Sequence, residues 1–255
     1  MKNLNEPVSD IGEFGLIAQL ASRISAKNEN IFIGIGDDAA AVDIGDGRLL
    51  LATCDIQIEN IHFTVHTFTP EQIGAKAAAV NLSDIAAMGG DPLYALVSIA
   101  VLPSMKKDDI LRIYSGLSDC LTRWGATVIG GNTSKSLNGL VIDITLLGET
   151  SKTQILTRNG ASVGDLLMIT GDLGASRLGL MLLNDELLEL SEEAKHEALA
   201  RHRTPIPRIA ESRILRKLSG VTSCLDVSDG LLGDAARLSD ASNVKLIINS
   251  NSIPI

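Results

Sequence analysis

Aromatic residues make up only 3% of this 255-residue chain, and there are only three cysteines. The first scarcity leaves little material for the stacking platforms on which single-stranded nucleic acids lie. Cys54, Cys120 and Cys224 are odd in number, widely spaced and without a CxxC pair. Neither a disulfide framework nor a structural zinc site is expected, and a reducing, cytoplasmic setting fits. Positive charge is in deficit: Lys+Arg 22 against Asp+Glu 31 gives a net charge of −9 and a pI near 4.9. That balance argues against nucleic acid or an anionic membrane surface as the main partner. No apolar run reaches the roughly 18 residues of a membrane helix, and the opening MKNLNEPVSDIGEF is polar, without a cleavable-signal pattern. With 45% hydrophobic and 21% charged residues, the chain has ample core for one large α/β domain or two ordinary ones.

What the chain does have is aspartate where strands or loops should end. Asp37 and Asp38 lie in GIGDDAA, Asp55 closes LLLATCD, Asp84 lies in NLSDIAAMGG, and Asp226 and Asp229 lie in DVSDG. Two carboxylates about 4 Å apart repel by on the order of 4 kcal/mol at an effective dielectric of roughly 20. If these groups converge, they require hard cations such as Mg²⁺, raised pKa values, or both. That points to phosphate chemistry, in which metal ions let an acidic protein hold ATP.

The clearest helix runs from Thr69 to Gly90, with Thr69 as N-cap, Pro70 at the first helical position and Gln72 completing a capping box. On it Ala77, Val80, Asn81, Asp84 and Met88 share one face, so Asp84 sits among mostly apolar neighbours and needs a partner from elsewhere. A second helix over 106–124 carries a stripe of Ile110, Tyr114, Leu117, Leu121 and Trp124. Strands are expected at 49–53, 93–101, 127–129 and 140–148, the first three as near-continuous apolar runs that prefer burial on both faces. The alternation predicts an α/β layer architecture up to about Thr150, with a boundary near 152/153. Beyond it, strands are expected at 165–170, at 223–225 and in the final VKLIINSNSIPI, with helices near 175–184, 191–201, 207–218 and 231–241. The last segment has no closing helix, which reads as a chain lacking its C-terminal part.

Each motif has a bland reading beside the chemical one. GIGDDAA lacks the GKS or GKT of a Walker A loop, and on its own can be an Asx-turn. Asp55 can be a polar strand terminus. His62, seven residues after Asp55, is a lone histidine of the kind that is more often structural. GGNTS at 130–134 can be a turn or a backbone cradle for phosphate. GDLGAS at 171–176 can cap a helix or bind an anion there. DVSDG, two carboxylates and a hydroxyl between a strand and a helix, is the strongest signal in the second half. No GxSxG nucleophile pattern is present.

Taken together, GIGDDAA, TCD followed by IHF, NLSDIAAMGG, GGNTS, LTRNGA, TGDLGAS, HRTPIPR and DVSDGL occur in an order and spacing that resembles the thiamine-monophosphate kinase family. That family belongs to the ATP-binding superfamily typified by aminoimidazole ribonucleotide synthetase. The resemblance extends from EFGLI onwards. It implies a two-domain α/β fold of α+β type, residues 1–152 binding ATP and Mg²⁺ and forming a barrel-like homodimer, residues 153–255 forming an incomplete C-terminal domain. The activity it implies is direct transfer of the ATP γ-phosphoryl group to thiamine monophosphate, with no covalent phosphoenzyme. By motif, Asp38, Thr53, Asp55, Asp84, Asn132, Asp226 and Asp229 would ligate Mg²⁺. Gly131, Asn132, Arg158 and Ser228 would contact ATP, and His62 would contact thiamine monophosphate; Asp37 is not carried over.

Three departures from the family pattern stand out. Asn132 replaces the aspartate of a GGDT motif, which weakens one metal site. Cys54 stands where a hydroxyl is common, and sulfur is a poor Mg²⁺ ligand. A GGEDYEL segment, whose glutamate helps hold the thiamine substrate, does not occur. The alternatives are a catalytically impaired Mg-ATP-binding regulatory homologue and a sister ATP-dependent enzyme of the superfamily.

Overall fold

A computed structural model describes residues 7–24, 28–186 and 189–255. Helix α1 (Val8–Arg23) is kinked at Gly12 and lies on the surface, where Phe14 stacks under the Arg237 guanidinium at 4.2 Å. Strands β1 (Ile31–Ile33), β2 (Ala40–Gly45) and β3 (Arg48–Ile58) follow. Helix α2 (Pro70–Ala87), β4 (Asp91–Val101), α3 (Lys107–Trp124), β5 (Thr127–Lys135) and β6 (Val141–Ser151) complete the first part. The six strands form one mixed sheet in the order β1-β2-β3-β6-β4-β5. Every pairing is antiparallel except β4–β5, the pair that α3 connects.

The capping residues act as the sequence predicts. Thr69 Oγ1 accepts the Gln72 N–H at 3.3 Å and the Gln72 side chain accepts the Thr69 N–H at 3.0 Å. These bonds satisfy two of the donors that every helix start leaves open. Helices α2 and α3 then lie side by side on one face of the sheet. Their contact line runs through Gly74 and Gly116, where each helix meets backbone of the other. This shifts the buried face of α3 to Ile113, Gly116, Leu117 and Leu121, leaving Ile110, Tyr114 and Trp124 only partly covered.

The strands differ from expectation in a way that matters for the site. They alternate, β6 most regularly, with Ile142, Ile144 and Leu146 fully buried under the helices and their neighbours partly open. One-sided burial of this kind is what an antiparallel sheet with one covered face shows. Ile56, Tyr94, Leu96 and Ile129 are 47%, 49%, 41% and 56% exposed, so part of the other face is apolar and uncovered. The GGNTS stretch is not a turn: β5 runs on through it to Lys135 as the sheet edge.

The second part carries α4 (Ala175–Leu183), α5 (Glu192–Arg203), α6 (Ile209–Leu215), α7 (Leu231–Ser242) and a short 3-10 turn at Ser250–Ser252. The expected strands at 165–170, 223–225 and in VKLIINSNSIPI do not form ladders among the described residues. Leu166, Met168 and Ile247 are 86%, 86% and 88% exposed, and a strand needs a partner for its N–H and C=O groups that propensity alone does not provide. Helix α6 docks this part onto the first. Ser212 donates its hydroxyl to Ala86 O at 2.6 Å, Arg213 and Arg216 grip Asp91 at 2.8 and 2.7 Å, and Arg216 donates to Gly89 O at 3.0 Å. Among the described residues no helix is long and apolar enough to cross a membrane.

Candidate active site

The end of α2, the loop before β2 and the loop before α7 meet at one point. Carboxylate oxygens of Asp38, Asp84 and Asp226 lie within 4.8 Å of one another. Local structure aims each of them. Asn81, fully buried on α2, donates to Ala77 O at 3.0 Å and accepts the Asp55 N–H at 3.1 Å, which pins β3 against the helix. Thr53 then donates its hydroxyl to Asp84 across that contact. Ser83, the residue before Asp84, donates its hydroxyl to Asp226 Oδ2 at 2.7 Å, joining the two parts of the molecule beside the cluster.

Asp37 and Asp38 divide their work. Asp37 accepts the backbone N–H of Asp38 at 3.0 Å and of Arg158 at 3.1 Å, so it acts as a clasp between distant segments rather than closing an Asx-turn onto its own loop. Asp38 binds the Arg158 guanidinium through Oδ1. Its Oδ2 is buried without a hydrogen-bond partner. A buried carboxylate oxygen without a donor costs on the order of 1–3 kcal/mol or more, so this atom calls for a cation.

The electrostatics agree. Burial, reinforced by Asp55 and only partly offset by the Thr53 hydroxyl, pushes Asp84 up to about 9. Burial raises Asp38 to about 7 in spite of Arg158. Asp226 is raised by burial against the Ser83 bond, and Asp55 by burial and then by Asp226. Carboxylates raised together are what a site arranged for metal ions shows when only protons are available to neutralise it. The all-oxygen donor set suits Mg²⁺ rather than a soft metal.

The other candidates are spread around this centre. Asp229 is 61% exposed and turns to Arg237. Ser228, Asp229 and Gly230 donate their N–H groups to Asp234 Oδ2 at 3.0, 3.2 and 3.0 Å. Asp234 is 2% exposed and shapes the DVSDG loop; sequence reading missed it, although an acid in the first turn of α7 is a signal for such a role. Gly131 and Asn132 are not at the cluster. They lie on β5, separated from β3 by β6 and β4, three strand spacings of about 4.8 Å each. Gly131 has φ 153, and a Cβ there would fall 1.8 Å from Val97 O, so β5 reaches β4 this closely only with glycine. Cys54 faces the uncovered sheet surface, its thiol directed to Asp143 Oδ1 at 3.1 Å. His62 accepts the Ile58 N–H on Nδ1 at 2.9 Å, a structural bond that leaves its other nitrogen for further contacts.

Comparison with known proteins bears on what this geometry does. Residues 36–150 match the family described as AIR synthase related protein, N-terminal domain, and 162–255 match its C-terminal domain. The thiamine-monophosphate kinase of Bacillus subtilis is 35% identical over 244 residues, covering 95% of this chain and 74% of that protein. The Aquifex aeolicus enzyme of the same name is 36% identical over 250 residues, covering 97% and 76%. Among solved structures, AaThiL complexed with AMPPCP and TMP matches with a TM-score of 0.88 at 34% identity, covering 99% of this chain and 77% of that one. A HypE–HypF complex, at 19% identity and a TM-score of 0.72, shares the fold alone.

Proposed function

The chain belongs to the thiamine-monophosphate kinase family, within the AIR synthase related proteins, and from this we infer that its aspartate cluster carries phosphoryl transfer from ATP to thiamine monophosphate, giving ADP and thiamine diphosphate. The observation that carries the assignment of the site is the meeting of Asp38, Asp84 and Asp226 around an orphaned carboxylate oxygen. Neither alternative is favoured: the named relatives are kinases, and the sister-enzyme likeness is one of fold.

The acceptor is itself a phosphate oxygen, so the protein needs no nucleophile of its own and little proton abstraction. Its task is to bring two polyanions into line. Mg²⁺ ions held by Asp38, Asp84 and Asp226, with Thr53, Asp55 and Asp229 adjoining, would neutralise the phosphate charge and orient the groups. Asn132, on the edge strand β5 and away from the Asp38, Asp84 and Asp226 cluster, would offer its neutral oxygen to a separate metal position further along the phosphates. Arg158, whose backbone N–H is held by Asp37 and whose Nε and Nη2 are held by Asp38, has Nη1 left to offer to an ATP phosphate oxygen. The Ser228 N–H is committed to Asp234, so its hydroxyl is the group left for the nucleotide. Gly131 brings bare backbone to the ATP, and His62 contacts thiamine monophosphate.

Residues 1–152 would hold most of the metal and nucleotide ligands and residues 153–255 would close the site with Arg158, Asp226, Ser228 and Asp229. The uncovered apolar sheet face with Ile56, Tyr94, Leu96 and Ile129 supports a homodimer. The free cysteines support a cytoplasmic setting.

Incubated with ATP, Mg²⁺ and thiamine monophosphate, the protein should form thiamine diphosphate and ADP in equal amounts; ADP without thiamine diphosphate would overturn the reading. Metal binding should also release protons. At pH 7 the metal-free Asp84, held near 9, keeps its proton, and Asp38, near 7, keeps part of one, whereas a ligating carboxylate must give it up. Calorimetric titration with Mg²⁺ in buffers of different ionisation enthalpy should therefore show proton release at pH 7 that shrinks towards pH 10. Heats independent of the buffer would remove Asp84 from the ligand set.

A further inference from the structure

Lys76 is the residue on α2 for which the site described so far has no use. Its ammonium makes no ion pair among the described residues. It donates to the backbone carbonyl of His62 at 3.0 Å and lies 5.1 Å from the centroid of the Phe68 ring. A desolvated lysine without a carboxylate is costly, and side chains of this kind persist where they hold something in place.

What Lys76 holds is the turn that carries His62. Phe63 and Phe68, both buried, anchor that segment edge to face at 6.4 Å, and Phe68 packs in turn against the His202 ring of α5 at 5.7 Å. His62 Nδ1 accepts the Ile58 N–H at 2.9 Å. A ring nitrogen that accepts carries no proton, so in the neutral ring the proton is on Nε2.

We propose that Lys76 is a positioning residue for the acceptor substrate: by gripping the His62 carbonyl it fixes the 59–63 turn so that the imidazole presents Nε2–H to thiamine monophosphate. This rests on the reading of His62 as a substrate contact. The charge of Lys76 has a second effect in the same direction. Burial, and after it the Lys76 ammonium, lowers the pKa of His62 and keeps the ring neutral. A neutral donor suits a substrate with a cationic thiazolium ring, which an imidazolium would repel. The other groups around Lys76 do not oppose this. His202, lowered to about 4 by burial and then by Lys76, is neutral, Arg203 beside it is cationic, and Glu59 is committed to the Leu140 N–H at 2.8 Å.

Lys76→Met keeps the aliphatic stem and removes the donor and the charge; Lys76→Arg keeps both. With four histidines in the chain, His62 can be assigned by NMR through His62→Gln. In the wild type its ring should show the Nε2–H tautomer and titrate below the usual histidine range. In Lys76→Met the titration should move upward and the tautomer should become mixed. The KM for thiamine monophosphate should rise about tenfold, with kcat and the KM for ATP within about twofold, and Lys76→Arg should restore most of the loss. An unchanged His62 signal, or a loss shared equally by both substrates, overturns the proposal. If even the wild type forms no thiamine diphosphate, the kinase reading has failed, and the NMR result alone decides whether Lys76 sets the state of His62.

Discussion

Asp84→Asn should lower kcat/KM for thiamine diphosphate formation by more than about 10²-fold at saturating Mg²⁺, because groups that only support metal ligands already cost about 10–100-fold. The same substitution should raise the melting temperature of the metal-free protein. Asp84 is pushed to about 9 by burial and by Asp55, so its folded-state pKa lies above the unfolded one. Folding then takes up a proton, and stability present at acid pH is lost as pH rises from the ordinary carboxylate range through about 9. Asparagine is neutral at every pH and keeps an oxygen for the Thr53 hydroxyl. Melting curves of the two proteins without metal should therefore diverge between pH 6 and 9, the variant the more stable, while added Mg²⁺ should stabilise the wild type more than the variant. Near-normal turnover with parallel melting curves would take Asp84 out of the metal set.

The largest loss of stability is expected from Gly74→Val and Gly116→Val. A Cβ on Gly74 would stand 1.9 Å from Ile113 O, and one on Gly116 would stand 2.1 Å from Glu71 O. Both obstacles are backbone, which cannot rotate away as a side chain does. Overpacking ordinarily costs about 1–3 kcal/mol and occasionally more; with helix backbone on both sides the upper end applies. A cost of about 3 kcal/mol lowers the melting temperature by roughly 6–12 °C in a protein of this size. Whatever folds should also be less active, since forcing α2 away from α3 moves Asp84 relative to Thr53 on β3. Thermal melts and specific activity of the soluble fraction check both parts, and a change in melting temperature under about 2 °C would show that the helices can separate freely.

The same pair of glycines shows where sequence reading stops. Local signals were legible: the Thr69-Pro70-Gln72 start of α2 can be read residue by residue, and a helix near 191–201 is expected where α5 forms, although only the structure shows Ser191 to be its cap, accepting the Ala194 N–H at 3.2 Å. Each depends on atoms a few residues apart. The stripe on α3 was displaced because a glycine carries no hydrophobic signal, yet Gly116 is the point of closest approach. Strand pairing was illegible for a related reason. Apolar runs in β3 and β4 look alike whether one face is covered or two, and only the partner decides. The segments at 165–170 and 223–225 have strand composition but no ladder. At the site, the aspartates could be picked out by type and position, but their meeting could not. Nothing in the string DVSDG says that Asp226 will receive the Ser83 hydroxyl, or in GIGDD that Asp37 will hold the Arg158 backbone. Family resemblance marked Asp38, Asp84 and Asp226 as members of one metal set, but the bonds that hold them there are visible only in the structure.

The docking of α6 and the DVSDG loop onto the end of α2 has a consequence for how the protein comes into being. Ser212 and Ala86 are 126 residues apart in the chain, and Ser83 and Asp226 are 143 apart. On a ribosome adding about 5–20 residues per second, Asp226 emerges roughly 7–30 s after Asp84. During that interval the sheet and its two helices can begin to fold, since most of their contacts are made within the first part, although the end of α2 still lacks α6 and the core still lacks Ile209; Asp38, Asp55 and Asp84 are meanwhile open to solvent and free to bind stray cations singly. Contacts of such sequence separation form late because their loop-closure entropy is paid last. The meeting of Asp38 and Asp84 with Asp226 is therefore a late event in each new molecule, and the aspartate cluster is complete only when the second part arrives.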